Sequence, residues 1–513
     1  MKKRAEFVII NRQIRHYCKK EQRKEELIME YKITGYKPEK LFHFFEEVSA
    51  IPRGSGNEKG ISDFLVKFAK DRGLWVYQDD SYNVIIKKGG SKGAEGKEPV
   101  MLQGHIDMVC DKRAGVDHDF EKEGIDLVIK DGVLSANGTT LGADNGVAVA
   151  LMMMVLDDEE IKHPPVECVF TTEEEVGLNG AQALDKSQIT ARTMINMDSE
   201  EEGVATISCA GGLRVQLTRE VERISAEGTL VQIKIEGLLG GHSGTDIDKE
   251  RQNGNILMAR MIAKLLDETG GKLVTFAGGT KDNAITRECE ASLIYSDRAQ
   301  AEEAGKLACA MAETFSEEIS SFEPDFACKV SVEENQSVPA LRDEDARAFV
   351  SAIRLAPNGV YRRNIKMDGF VVVSSNMGVV RADEKELVIV ISPRSSVASL
   401  QTDTKERMAL LADTFGFAID CSGEYPGWDF KEDSRIREVF KESYRELFGG
   451  ELKVEALHAG LECGLFSEAL PGLDAIAVGP TLYNVHTPDE NLPLDSFERF
   501  YELLKDVLAR LAA

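Results

Sequence analysis

Positive charge is what this chain is short of. Its 62 lysines and arginines face 88 aspartates and glutamates, leaving a formal charge of −26 and a sequence pI near 4.9. A nucleic-acid partner is thereby excluded, because its phosphates would be repelled. Long apolar runs are missing too: the longest, residues 147–156, falls well short of the roughly 20 residues that cross a bilayer. The basic start Lys2-Lys3-Arg4 precedes an apolar stretch, residues 7–10, too short for the core of a secretion signal. The nine cysteines include no C-x-x-C pair, and their odd, scattered set suits a reducing compartment rather than a disulfide framework. The expectation is a cytoplasmic protein with neither membrane nor nucleic acid as partner. There is no solenoid repeat. No G-x-S-x-G serine motif is present, since Ser243 sits in G-H-S-G-T, and Gly54-x-Gly56-x-x-x-Gly60 misses the dinucleotide spacing. Fourteen prolines and no biased tract exclude extensive disorder.

What is present is an ordinary globular composition, 42% hydrophobic and 29% charged, over 513 residues, enough for two or three domains. Residues 1–35 are rich in Lys, Arg and Glu, with an internal Met29, and read as an N-terminal extension or an upstream start. From residue 36 apolar periodicity sets in. Leu41, Phe44 and Phe45 share one helical face, and a second helix opening near Asn57 carries Ile61, Phe64, Leu65 and Phe68. Strands expected at 84–86, 100–103, 166–172 and 193–197, with an apolar helix from Asp144 through Leu156, predict an α/β fold: a mostly parallel sheet flanked by helices. Acids and histidines gather at the C-terminal ends of these strands, where ligand sites in such sheets form. Between residues 212 and 424 the pattern changes to strands (231–235, 291–295, 387–391) and amphipathic helices with fewer clustered acids. The first pattern then returns with a helix over 434–448, a strand over 474–478 and a last helix burying Phe497, Phe500, Leu504, Val507, Leu508 and Leu511. The reading is a catalytic domain in two parts, 36–211 and 425–513, interrupted by an inserted α+β domain, 212–424.

Only eight histidines are present, and two stand in chemically dense settings. In Gly104-His105-Ile106-Asp107 the imidazole and carboxylate share one side of an extended segment. Asp107 could then accept the second ring N–H of a metal-bound His105, although H-x-D alone more often marks a surface turn. Asp144 sits in a glycine-flanked turn before a helix, where an N-cap is the plainer explanation. Glu173-Glu174-Glu175 follows an apolar strand and precedes Val176-Gly177. Three like charges at a strand end near the core need cations. Asp198 ends the next strand, and His486 lies in a turn after the strand at 474–478. Two imidazoles with three carboxylates suit zinc, cobalt or manganese better than calcium or a thiolate site. One carboxylate bridging two metals would leave each an imidazole and a carboxylate of its own, a pair able to polarise a carbonyl and acidify a bridging water. Cys463, in L-E-C-G-L, carries no sign of activation and reads as a buried structural thiol.

Taken together, G-H-I-D-M-V (104–109), T-L-G-A-D-N-G (140–146), T-T-E-E-E-V-G (171–177), M-D-S-E (197–200), G-G-H-S-G (240–244), H-A-G-L-E-C-G-L-F (458–466) and H-T-P-D-E (486–490) form a specific set. In content and order they resemble the aminoacyl-histidine dipeptidases, also called cytosol non-specific dipeptidases, within the aminoacylase and carboxypeptidase group of di-zinc exopeptidases. The resemblance runs from about residue 36 to the C-terminus. It implies two divalent metal ions per subunit, zinc first and cobalt or manganese as alternatives. Asp144 would bridge them, His105 and Asp198 would hold one, and Glu175 and His486 the other. It further implies that Asp107 orients His105, that Glu174 is the general base, that Glu173 stands outside the ligand set, and that the bond after Asp144 is cis. The inserted domain becomes a lid, on which His242, Asn283 and Arg394 bind substrate, with His458 lining the same pocket. Arg394 alone would pass for a surface charge, but a guanidinium is the natural bidentate partner of a dipeptide's carboxylate. The implied activity is hydrolysis of dipeptides, Xaa-His included, by a homodimer in which His242 serves the partner's site; a monomer supplying it in cis is the rival. An aminoacylase or tripeptidase on the same centre remains an alternative, as does a metal-binding relative without catalysis. Retention of Glu174 and Asp107 weighs against the last.

Overall fold

The computed structural model describes residues 31–365 and 369–513; most of the N-terminal extension expected from the sequence, residues 1–30, lies outside them. The helices Glu39–Ser49 and Lys59–Asp71 each bury one face, through Leu41, Phe44, Phe45 and Val48 in the first and Ile61, Leu65 and Phe68 in the second. That is the stripe their three- and four-residue apolar spacing dictates. The helix Ala143–Asp157 differs: it is apolar all round and buried along nearly its whole length, as a core helix must be. It packs closely on the strand Val100–His105, where a Cβ on Gly104 would come within 2.5 Å of the Ala148 Cβ.

The first sheet has eight strands in the order Trp75–Gln78, Val84–Lys88, Val166–Thr171, Val100–His105, Thr193–Asn196, Asp474–Ala477, Val204–Cys209, Lys453–Leu457. Its four central strands run parallel. Trp75–Gln78 and Val84–Lys88 are antiparallel to their neighbours, as is Val204–Cys209 to Asp474–Ala477. The expected mostly parallel sheet is therefore parallel at its centre and mixed overall. The short connection at 79–83 can close only an antiparallel pair, because a parallel one needs a crossover. Val100–His105 and Val166–Thr171 are buried at every position, in keeping with cover on both faces.

The second sheet is antiparallel throughout, with nine strands drawn from Gly211 to Tyr425. The helices Gly254–Glu268, Arg298–Ile319, Asp343–Leu355 and Ala398–Phe415 belong to the same stretch, which has a core of its own around Leu257, Ile262, Phe276, Phe315, Phe349, Ile389 and Met408. The chain thus leaves the first sheet after Cys209 and rejoins it at Lys453. Among the described residues all eight cysteines are free thiols, and no helix is long and apolar enough to cross a membrane.

Candidate metal centre

Three adjacent parallel strands deliver the site from their C-terminal ends. His105 closes Val100–His105, with Asp107 two residues on; Glu174 and Glu175 follow Val166–Thr171; Asp198 follows Thr193–Asn196. Glu173 adopts φ +48°, a left-handed conformation that turns the chain sharply at the strand end. Asp144 comes from the first turn of the buried helix, where its own φ/ψ is not helical, and the Asp144–Asn145 bond is cis. His486, at φ +63°, comes from the loop after Asp474–Ala477.

These side chains converge. Asp144 Oδ1 lies 3.1 Å from His105 Nε2, and its Oδ2 lies 3.1 Å from His486 Nε2. His105 Nε2 is also 3.4 Å from Asp198 Oδ1, and His486 Nε2 is 3.1 Å from Glu175 Oε1. On the far side of the His105 ring, Nδ1 is 3.3 Å from Asp107 Oδ1. One ligating atom each from His105, Asp144 and Glu175 fits within a 4.8 Å spread.

Electrostatically the cluster is an excess of acid. Among the described residues, no lysine or arginine lies within ion-pair distance of Asp107, Asp144, Glu174, Glu175 or Asp198; only the two imidazoles do. Hydrogen bonds to Asp144 and Glu175 raise the His486 imidazole to about 11. Burial works against the charge on His105, yet Asp198, Asp107 and Asp144 carry it well above its ordinary value. Burial pushes the Glu174 carboxyl well up, Asp198, Glu462 and Glu175 adding to the effect against His105. Glu175 Oε1 is buried, facing His486 Nε2. Imidazole nitrogens and carboxylates that converge in this way, with no lysine or arginine paired to them among the described residues, fit divalent ions.

Three buried charged residues without an assigned role in the sequence reading brace the site. Asp107 accepts hydrogen bonds from Ser55 Oγ (2.8 Å) and from the backbone N–H of Glu174 (3.1 Å) and Glu175 (3.3 Å). Behind it Arg53, fully buried, donates to the carbonyls of Ile106, Asp107 and Gly142. Gly142 has φ +69°, and a Cβ there would strike the Arg53 guanidinium at 2.6 Å. From the other side Glu490 takes the N–H groups of Leu141, Gly142, Ala143 and Asp144 at 2.7–3.2 Å. The turn bearing Asp144 is thus gripped by its carbonyl and by its amides. The third residue, Glu462, is buried beneath the strand ends. Glu490 lies inside the H-T-P-D-E motif and Glu462 inside H-A-G-L-E-C-G-L-F, the only sequence signal either gives.

His242, Asn283, Arg394 and His458 gather as a separate group. His242 pairs in a short ladder with Ala284, and the carbonyl of Asn283 accepts the Ser243 N–H at 2.9 Å. Arg394 donates to the Tyr425 hydroxyl at 2.7 Å, and His458 Nε2 lies 2.7 Å from Ser374 Oγ. Burial and the Arg394 charge lower both imidazoles, that of His458 to about 3. Gly244 is packed so closely on His458 that a Cβ would reach its carbonyl at 2.4 Å. Among the described residues no hydrogen bond or ion pair joins these four to the carboxylate–imidazole cluster.

Residues 101–510 match the sequence model described as peptidase family M20/M25/M40. The chain belongs to that family. This M20/M25/M40 peptidase is a hydrolase acting on peptide bonds, and dependence on divalent metals is general in its family. It is 33% identical over 484 residues to the cytosol non-specific dipeptidase of Escherichia coli (strain K12), covering 94% of this chain and 99% of that protein. Its structure matches that of aminoacylhistidine dipeptidase from Vibrio alginolyticus with a TM-score of 0.87 and 34% identity, over 93% of this chain and 97% of the other. Aminopeptidase PepT from Bacillus cereus, at TM-score 0.54 and 18% identity over 93% of this chain and 100% of the other, shares the fold. The family expected from the seven motifs is the family found.

Proposed function

We propose that the chain is a two-metal dipeptidase of broad specificity, Xaa-His substrates included, acting in the cytoplasm as a homodimer. One observation carries the reading: the two oxygens of Asp144 each lie 3.1 Å from the Nε2 of a different imidazole. Asp144 would then serve both ions, His105 and Asp198 would hold one, and Glu175 and His486 would hold the other. The donors suit zinc, with cobalt and manganese as alternatives. When bound, the ions would lend Lewis acidity to the scissile carbonyl and make the attacking water more acidic. Glu174 accepts the proton of the attacking water and returns it to the departing amine nitrogen. Asp107, held by Ser55 and two backbone amides, keeps His105 protonated at Nδ1 so that Nε2 is free to bind metal. Residues 36–211 and 425–513 form the catalytic domain and 212–424 the lid. On the lid side Arg394 takes the dipeptide's carboxylate, with Asn283 and His458 beside it. The high identity to a relative named as a dipeptidase across nearly its whole length supports this substrate class.

The test is a panel of dipeptides, their C-terminal amides, tripeptides and N-acyl amino acids, assayed with chelator and with zinc, cobalt or manganese restored. Dipeptides should be cut only with metal, and their amides about 10- to 100-fold more slowly, the worth of one charged hydrogen bond. Faster turnover of N-acyl amino acids or of tripeptides would replace the reading with an aminoacylase or a tripeptidase. Activity indifferent to chelation would remove the metals from it.

Among the described residues no hydrogen bond or ion pair joins His242 to the carboxylate–imidazole cluster of its own subunit, and we take it to act across a dimer interface, where the imidazole would hydrogen-bond the oxyanion forming on the attacked carbonyl. His242→Ala should lower kcat by about 100- to 1,000-fold. Mixed with inactive Glu174→Gln and allowed to exchange subunits, it should regain up to about half the wild-type activity per mixed dimer, since one of the two sites is then complete. Confirmed exchange without recovery would assign His242 to its own subunit.

A further inference from the structure

Beneath the metal centre lies a carboxylate that the proposed reaction does not use. Glu462 opens the helix Glu462–Ala469 and is 0% exposed. Its Oε2 accepts from Gln103 Nε2 at 2.5 Å and from Thr171 Oγ1 at 2.8 Å. Gln103 Nε2 also reaches Thr171 Oγ1 at 3.1 Å, while its Oε1 accepts from Asn196 Nδ2 at 2.6 Å. Gln103, Thr171 and Asn196 come one each from the three parallel strands that deliver the site. Gln103 stands two residues before His105 and Asn196 two before Asp198, so each lies on the ligand's side of an extended chain. Thr171 stands three before Glu174.

The position along the sheet matters. The ladder between Val100–His105 and Thr193–Asn196 ends at the pair Gln103↔Asn196. His105 and Asp198 therefore lie beyond the last rung of that ladder, whereas on its other side His105 still pairs with Thr171. Among the described residues no lysine or arginine lies within ion-pair distance of Glu462, Lys186 acting on it only from farther off, and its Oε1 is buried without a hydrogen bond. A carboxylate so placed is costly to bury, and neither packing nor an ion pair accounts for it.

We propose that Glu462 is a positioning residue for peptide hydrolysis: it ties three strand ends into one network, so that His105, Glu174 and Asp198 meet the reacting groups at a fixed spacing. This rests on the two-metal reading above. Catalysis is sensitive to such spacing, since a displacement of about 1 Å can cost on the order of 100-fold in rate.

The experiment compares Glu462→Ala, Glu462→Gln, Gln103→Ala and the Glu462→Ala/Gln103→Ala double variant, each at saturating zinc with bound metal counted on the assayed sample. Glu462→Ala should keep both metals and hold KM within about twofold while kcat falls about 10- to 100-fold. Glu462→Gln, whose amide oxygen can still accept from Gln103 and Thr171, should restore kcat to within about threefold of wild type. The double variant should lose no more than the worse single one, because both cut the same network. Wild-type kcat in folded, metal-loaded Glu462→Ala would overturn the proposal. So would a Glu462→Gln as impaired as Glu462→Ala, or losses that add. Should Glu462→Ala fail to fold, Gln103→Ala cuts the network from its other end, and unchanged kcat there overturns the proposal equally. Wild-type activity that survives chelation would sink the two-metal reading; chelator-sensitive wild type with an unimpaired Glu462→Ala would sink this proposal alone.

Discussion

Replacing Glu174 with glutamine should lower kcat by about 100- to 10,000-fold while both metals stay bound. Glutamine matches glutamate in size and retains an oxygen that can accept a hydrogen bond, but it cannot take up a proton from water. The side chain adjoins the proposed ligand Glu175, yet among the described residues its carboxylate makes no hydrogen bond or ion pair, which leaves it available to a bound water. KM should change little, since the loss falls on the chemical step rather than on substrate binding. Steady-state kinetics beside metal analysis of the same preparation checks this. Turnover near that of the wild type would show that another group takes the proton, and loss of metal would make Glu174 a ligand instead.

Asp144→Ala should abolish turnover by emptying both metal positions together. Each imidazole–carboxylate pair would retain two protein ligands, one fewer than the three that a catalytic zinc site ordinarily keeps. The fold around the turn has independent support, since Glu490 holds the amides of residues 141–144 and Arg53 the carbonyl of Gly142. The variant should therefore remain folded, and thermal unfolding of the metal-free proteins should show it. Asp198→Ala is the control, expected to weaken one position before the other. Metal analysis of Asp144→Ala with one site full and one empty would contradict a shared ligand.

How far the site was legible depended on how local its signals are. His105, Asp107, the run Glu173-Glu174-Glu175 and Asp198 each lie at or just past the end of an apolar strand, so alternation and charge marked them as candidates, while the separate roles of Glu174 and Glu175 came from the resemblance. Their convergence required knowing that three strands lie side by side and parallel, which local periodicity does not encode. The same blindness to direction hid the antiparallel pairs that flank the mostly parallel sheet. The strand Ala327–Ala340 escaped notice because it is largely exposed, and its run of Glu, Asn, Gln and Ser hides the alternation. Arg53, Glu462 and Glu490 went unassigned for another reason. A buried charge is explained by its partners, and the partners of Glu490 lie about 350 positions away, 349 in the case of Leu141. The lid-side residues came from a resemblance, and the structure groups them without joining them to the metal cluster.

The span between Asp144 and His486, 342 residues, also sets an order of events. The central strand Asp474–Ala477 must enter between Thr193–Asn196 and Val204–Cys209 after everything that separates them has been made. Contacts so distant in sequence form late and only once the intervening chain has closed its own loops. A chain emerging from the ribosome exposes His105, Asp144, Glu174, Glu175 and Asp198 long before His486 and Glu490 exist. Until then the sheet has a gap and the proposed ligand set lacks its second imidazole. A hydrolase of peptide bonds is in this way withheld from its surroundings by its own topology until synthesis has passed His486, 342 residues after Asp144.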